Sequence, residues 1–447
     1  MDYRQLAQDL LKQATARGAS GADVLLVEDE SFSVQVRLRD VETVKSAREK
    51  RLGLRVCFGP RSAGTSTSDL SPESLARLLD DTLAMAQAVA EDPESGLPDG
   101  SAFTADMPDL ATWDGEAGRL SLGERIRLAM AAEAAALDRD PRITNSEGAE
   151  FSQHDASVLL ANTHGFVGEY RASRVGLAVT PVAEQDGAKQ RDGWSAVERA
   201  LSALPSAEAV GRTAAERTLR RLGSRKVRTQ EVPVVFEPET AVSLLRTLCS
   251  AASGSALYRS ASFLLGKLSQ RIAAPGFTVI DDGRLPGKVG SRPFDGEGLP
   301  TRRTVVVEDG ILASYLLDTY SARKLGLKST GNASRSLGQP PGVGPTNFYA
   351  APGPHSPEEI VASVPNGLYV TELIGFGVNL VTGDYSRGAA GLWIQNGRLA
   401  YPVEEITIAG NLRDMLAGIE MVGSDLTWRG AFAAPTLKIG RMTVGGE

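Results

Sequence analysis

The sequence predicts an α+β protein in two parts: an N-terminal α+β domain over residues 1–225, with a mixed sheet and helices, and a sheet-rich, barrel-like domain over 226–447. Three observations carry this. Short strand-like runs with alternating apolar residues recur in both halves. Helical patterns with clear apolar stripes concentrate in the first half. The polar, basic segment GSRKVRTQEVP, from Gly223, ends in proline and separates the two.

The elements follow in order. Leu6, Leu10 and Leu11 form one apolar stripe on a helix over Tyr3–Ala16. ADVLLVED from Ala22, SFSVQVRLRD from Ser31 and LGLRVCFG from Leu52 read as three strands. Ser71 followed by Pro72 is an N-cap with proline at the first helical position, and Leu75, Leu78, Leu79, Leu83 and Ala86 give that helix its buried face. Residues 91–118, rich in Pro, Gly, Asp and Ser, read as a long loop. A helix is expected over 122–137, strands to about Ala183, and a helix over 207–222. The second half opens with a strand and a helix, VVFEPETAVSLLRTLCSAASGSAL. Asp309-Gly310 between TVVV and ILASYLL is a hairpin signal. No repeat at a solenoid period and no low-complexity segment is present.

Composition narrows the function. A chain of 447 residues, 42% hydrophobic and 23% charged, is ordinary for a globular protein. It should bury about 75% of its unfolded surface. A net charge of −7 with mixed signs argues against a nucleic-acid or polybasic membrane contact. No apolar run approaches the ~20 residues that span a bilayer, and the N-terminal stretch lacks the pattern of a signal peptide, so a cytoplasmic location is expected. Cys57 and Cys249 sit among apolar or small residues and are expected to be buried free thiols.

The block from Tyr369 to Asp425 is dense in glycine, polar turn residues and short β-type runs, yet has no His and no Cys. The three histidines of the chain are dispersed: His154 in a strand, His164 in a turn, His355 before a helix N-cap. None has the Glu and second His needed to aim two imidazoles at zinc from one helix face. His154 and His164 could meet across a hairpin, without an acid partner. Ser386 has no nucleophile elbow and no local base. Asp281, Asp282, Asp295 and Glu297 could hold a hard cation or serve turns. Gly338–Gly344 lacks the lysine of a phosphate loop and reads as an extended loop. Gly375, Gly377 and Gly383 fit either a bulge or a close backbone approach, as when a peptide adds to a sheet edge.

The residues then carry a family. GLRVCFGPRSAGTSTSDLSPESL at 53–75, VIDDGRLPGKVGSRPFDGEGLPTRRTVVVEDGIL at 279–312, STGNASRS at 329–336, PTNFYAAPG at 345–353, GDYSRGAAGLWIQNG and YPVEEITIAGNL resemble the TldD/PmbA proteins, within them the PmbA (TldE) branch. The likeness covers essentially the whole chain. It implies a heteromeric cytosolic zinc peptidase acting on unfolded peptides; an older label is modulator of DNA gyrase. In the TldD branch a helix carries H-E-x-x-x-H, and a later cysteine completes the metal site. The corresponding helix here reads AVSLLRTLCSAASGSALY at 241–258, with neither His nor Glu, and Cys249 lies on that helix rather than near the C-terminus. No metal ligand therefore transfers and no catalytic residue is assigned. The resemblance implies a non-catalytic subunit, with zinc in a TldD-like partner. The alternative is a stand-alone homodimeric peptide-binding protein. Asn379, Thr382, Asp384, Ser386 and Arg387 are the residues expected to face a substrate chamber.

Overall fold

The computed structural model describes residues 2–103 and 107–447. The long loop expected over 91–118 lies partly outside these; its described parts hold a 3-10 turn at Gly100–Ala102 and a short helix at Glu116–Arg119.

The N-terminal half is built on a seven-stranded antiparallel sheet. Its central strands are long: Gly21–Arg37 lies between Asp40–Phe58 and Ile143–Asn162. The sequence reading splits Gly21–Arg37 into two runs at its acidic stretch Glu28-Asp29-Glu30. The structure joins them, because cations on the neighbouring strand donate to two of the acids. Arg48 and Lys50 reach Glu28, and Arg51 reaches Asp29, across the ladder. Alternation along this strand sorts its side chains. Val24 and Leu26 pack with the helices Tyr3–Ala16 and Pro72–Ala88. Val34 and Val36 pack in a second core with the helices Leu122–Leu137 and Ala207–Leu219. Leu25, of opposite parity, meets Phe294 of the C-terminal half. Ser71 caps the helix Pro72–Ala88 as its sequence predicts. The helix expected over 207–222 stops at Leu219, and Gly223 follows with φ +76°.

In the C-terminal half, strands Arg398–Asn411, Asp384–Gln395, Asn366–Ile374, Gln230–Phe236 and Leu437–Gly445 pair in that order, and the last pairs back to the first. This closes a five-stranded barrel. A second sheet contains Val279–Asp282, Arg303–Glu308 and Phe348–Ala350. The helix Pro238–Ala251 shares one continuous core with both sheets through Ala241, Leu245 and Leu248. The Asp309-Gly310 turn forms as predicted, with φ 48° and 77°, and pairs Glu308 with Ile311.

The halves meet through side chains and a loop. Arg335, in STGNASRS, pairs with Asp23 of the N-terminal sheet. A Cβ on Gly53 would lie 2.8 Å from the backbone nitrogen of Gly338, so glycine there lets the loop rest directly on the sheet. Among the described residues, no helix is long and apolar enough to cross a membrane.

Candidate functional site

Three of the five residues expected at a chamber brace one turn. The Asn379 side-chain oxygen accepts from the N–H groups of Val381 and Thr382 at 2.9 and 3.3 Å. The Thr382 hydroxyl donates to Asp384 at 2.6 Å. Ser386 is exposed on the strand that follows. Arg387, of opposite parity, turns inward and donates to the Ser243 hydroxyl at 2.5 Å. The structure thus groups Asn379, Thr382 and Asp384, and sends Arg387 to the helix Pro238–Ala251. Between them and the preceding strand, Gly377 supports the close-approach reading: its added Cβ would sit 1.7 Å from the Ser386 carbonyl oxygen. Phe376, beside it, is 100% exposed.

The helix Pro238–Ala251 borders a cleft of about 400 Å³ between the two halves. Its own lining residues are Glu239, Val242, Ser243 and Arg246, at helical spacing on one face. Trp194 and Arg217 come from the N-terminal half, and Arg429 from the C-terminal half. Arg429 stacks on the Trp194 ring at 3.6 Å, and Arg217 lies 5.3 Å from the same ring. Glu239 binds Arg429 at 2.6 Å and lies 3.7 Å from Arg217. Arg217 also meets Glu237 at 2.7 Å and Asp192 at 3.4 Å. Arg246 lies over the Phe432 ring at 4.2 Å. Burial pushes its guanidinium below the usual arginine value. Sequence reasoning misses this cleft, because Trp194, Arg246 and Arg429 are far apart in the chain. Glu239, Ser243 and Arg246, polar residues at helical spacing, are its one local signal.

These residues do not fit a zinc site. Zinc takes imidazole, thiolate and carboxylate. The one carboxylate on this helix face is held by two guanidiniums. Cys249 is buried in the core, and burial raises its thiol well above the usual range. Among the described residues, no three His, Cys, Asp or Glu side chains stand together as a metal site.

The acidic residues singled out in turns are structural partners. Asp281 accepts from Asn332 at 2.7 Å and from the Thr346 N–H at 2.7 Å. Asp282 accepts from the Arg284 N–H. Asp295 accepts from the N–H groups of Glu297, Leu299 and Ala333. Glu297 accepts from the Thr319 N–H at 2.9 Å. Burial raises the carboxyls of Asp281, Asp295 and Glu297 above their usual values. The histidines do not converge. His154 lies opposite Arg174 in the ladder and contacts Asp29 at 3.2 Å, whereas the His164 ring meets the Pro98 carbonyl. Cys57 and Cys249 are free and buried, as expected. Gly342–Val343, in the expected extended loop, pairs with Ala333–Ser334 as a short hairpin.

Comparison with known proteins places this architecture. Profiles of the PmbA/TldA metallopeptidase family match along the chain: domain 1 at residues 22–86, the central domain at 115–222 and the C-terminal domain at 229–446. A protein named Metalloprotease PmbA from Escherichia coli O157:H7 is 39% identical over 429 residues, covering 96% of this chain and 93% of its own. A Metalloprotease PmbA homolog from Haemophilus influenzae is 35% identical, covering 100% and 96%. Among solved structures, a candidate modulator of DNA gyrase from Bacteroides thetaiotaomicron superposes with a TM-score of 0.92 at 28% identity, over all of both chains. TldE from Thermococcus kodakarensis shares the fold, with a TM-score of 0.87 at 20% identity over 98% of this chain and 99% of its own. With all three domains matched in order and two relatives aligned over nearly their whole length, the chain belongs to the PmbA/TldA metallopeptidase family.

Proposed function

We propose that this chain is the non-catalytic subunit of a heteromeric zinc metallopeptidase that degrades or processes unfolded peptides in the cytoplasm. It supplies a subunit interface and part of the substrate chamber, and zinc belongs to a TldD-like partner. One observation carries this. The helix Pro238–Ala251 faces its cleft with Glu239, Val242, Ser243 and Arg246, a set without imidazole or thiolate whose one carboxylate is already paired with Arg429 and Arg217. The hairpin tip supports an interface role, because Ile374, Phe376 and Val381 are all exposed there. The chamber-facing residues in this reading are Asn379, Thr382, Asp384, Ser386 and Arg387.

The test is co-purification with a chain bearing H-E-x-x-x-H, followed by metal analysis and peptidase assay of each chain alone and of the mixture. Zinc in the partner and activity in the mixture are expected. Stoichiometric zinc and peptide cleavage by this chain alone would overturn the proposal. A stable homodimer that ignores the partner but binds peptides would instead support a stand-alone peptide-binding protein.

A further inference from the structure

Arg246 and Ser243 line the cleft from one helix face, and Arg387 binds the Ser243 hydroxyl. Arg246 follows Ser243 by one helical turn, and Arg387 donates to the hydroxyl from the barrel. Among the described residues, neither guanidinium has a carboxylate within ion-pairing distance. The acids nearby are already committed. Glu239 serves Arg429 and Arg217, Glu237 serves Arg217 and Arg220, and Asp192 faces Arg217. The cleft lining therefore holds three arginines, Arg217, Arg246 and Arg429, against the single acid Glu239.

Unmet donors point the same way. The Nε groups of Arg429, in the lining, and of Arg387, behind Ser243, are buried without an acceptor. A buried charged donor left unpaired is costly, so such groups ordinarily face an acceptor. The cleft is large enough for a small planar anion and the chain attached to it. Its walls include the flat Trp194 ring and the apolar Val242 side chain. Phosphate and carboxylate both suit arginine forks. A carboxylate suits this cleft better. Arg217 and Arg429 are already paired with Glu239, which among the described residues leaves Arg246 as the one lining cation without a carboxylate and matches a singly charged anion.

We infer that the cleft between the two halves is a carboxylate-recognition site, in which Arg246 and the Ser243 hydroxyl hold the anion over Val242, and Arg387, bonded to that hydroxyl from outside the lining, fixes its orientation. Its occupant is a peptide carboxylate, from a chain terminus or an acidic side chain. That source rests on the proposed peptide-processing role; the anion chemistry does not.

The test is calorimetric titration of the full-length chain with five probes. They are N-acetylglycine, its amide, an unstructured peptide with a free C-terminus and no acidic side chain, the same peptide amidated, and a second amidated version that carries one internal Glu. The free-acid probes should bind, and Arg246→Ala should weaken them about ten- to a hundred-fold. Arg246→Lys should recover part of the loss, since it keeps charge but not the fork. Arg387→Lys should also weaken binding, with an unchanged circular-dichroism melt. Binding of the amidated Glu peptide, lost in Arg246→Ala, assigns the carboxylate to a side chain. Arg246-dependent binding of N-acetylglycine without any peptide binding supports the site and overturns the peptide-processing role. Equal binding of acid and amide, indifferent to Arg246→Ala, overturns the site and leaves that role standing. Failure of every carboxylate probe to bind also overturns it.

Discussion

The Arg335 side chain is wholly buried and forms an ion pair with Asp23, so a charge contact ties a loop of the C-terminal half to the N-terminal sheet. Arg55, on the neighbouring strand, meets the same carboxylate at 2.5 Å. One buried anion therefore stands between two buried cations. Burial pushes the Asp23 carboxyl up, and Arg335 and Arg55 more than offset this, holding it below its usual value. Asp23→Ala leaves both guanidiniums without their anion and should cost about 3–5 kcal/mol in urea unfolding. Replacing all three residues with apolar ones of similar size should recover most of that loss.

Glu133 holds a turn that its sequence does not favour. Leu38 and Arg39 both have positive φ, 50° and 67°, at the tip of the first hairpin. The buried Glu133 carboxylate accepts both of their N–H groups, at 2.9 and 2.7 Å. Glu133→Ala should destabilise by about 2–4 kcal/mol, from two lost charge-assisted bonds. Changing Leu38-Arg39 to Asn-Gly in that background should return about 1 kcal/mol, because these residues adopt left-handed backbone readily. A thermal-melt double-mutant cycle measures both.

Glu297 makes stability depend on pH. Burial, then the charge of Asp295, raises its carboxyl from 4.5 to about 7, and Arg55 and the Thr319 contact oppose the rise. The folded state thus keeps a proton that the unfolded chain releases. Its contribution is complete below about 4.5 and is lost as pH rises through about 7. Glu297→Gln fixes the neutral form. The variant should therefore gain on the wild type between pH 5 and 8, by about 2 kcal/mol, read from urea unfolding at each pH. A constant difference across that range would exclude this role.

Phe376 offers a test of the proposed interface that spares the fold. Fully exposed, it contributes nothing to the core, so Phe376→Ser should leave unfolding unchanged within about 0.5 kcal/mol. Affinity for the proposed TldD-like partner should fall about ten-fold or more, as for a buried aromatic anchor. Gly377→Ala is the contrasting change. Its methyl group collides with the Ser386 carbonyl and must shift the hairpin, so it should lower both stability and association.

What the sequence disclosed was local. Ser71-Pro72 and Asp309-Gly310 act within a few residues of themselves, so their helix start and hairpin could be read without distant partners. The acidic run at 28–30 hid a continuous strand, because its support comes from Arg48, Lys50 and Arg51 on another strand. The turn bonding of Asn379, Thr382 and Asp384 was within reach of local chemistry. The inward turn of Arg387 toward Ser243 was not, since it depends on how the barrel seats the helix. For the same reason Trp194, stacked on Arg429, carried no warning in either segment.

The closing of the barrel also sets an order of events during synthesis. Gln230–Phe236 emerges early in the second half but sits between Asn366–Ile374 and Leu437–Gly445. Until that last strand leaves the ribosome, one edge of Gln230–Phe236 has no neighbour. The N-terminal sheet draws all its strands from residues 21–198 and can assemble meanwhile. The nascent chain therefore carries a finished platform and an open, apolar half-barrel together, and this waiting interval is where it most needs shielding from aggregation.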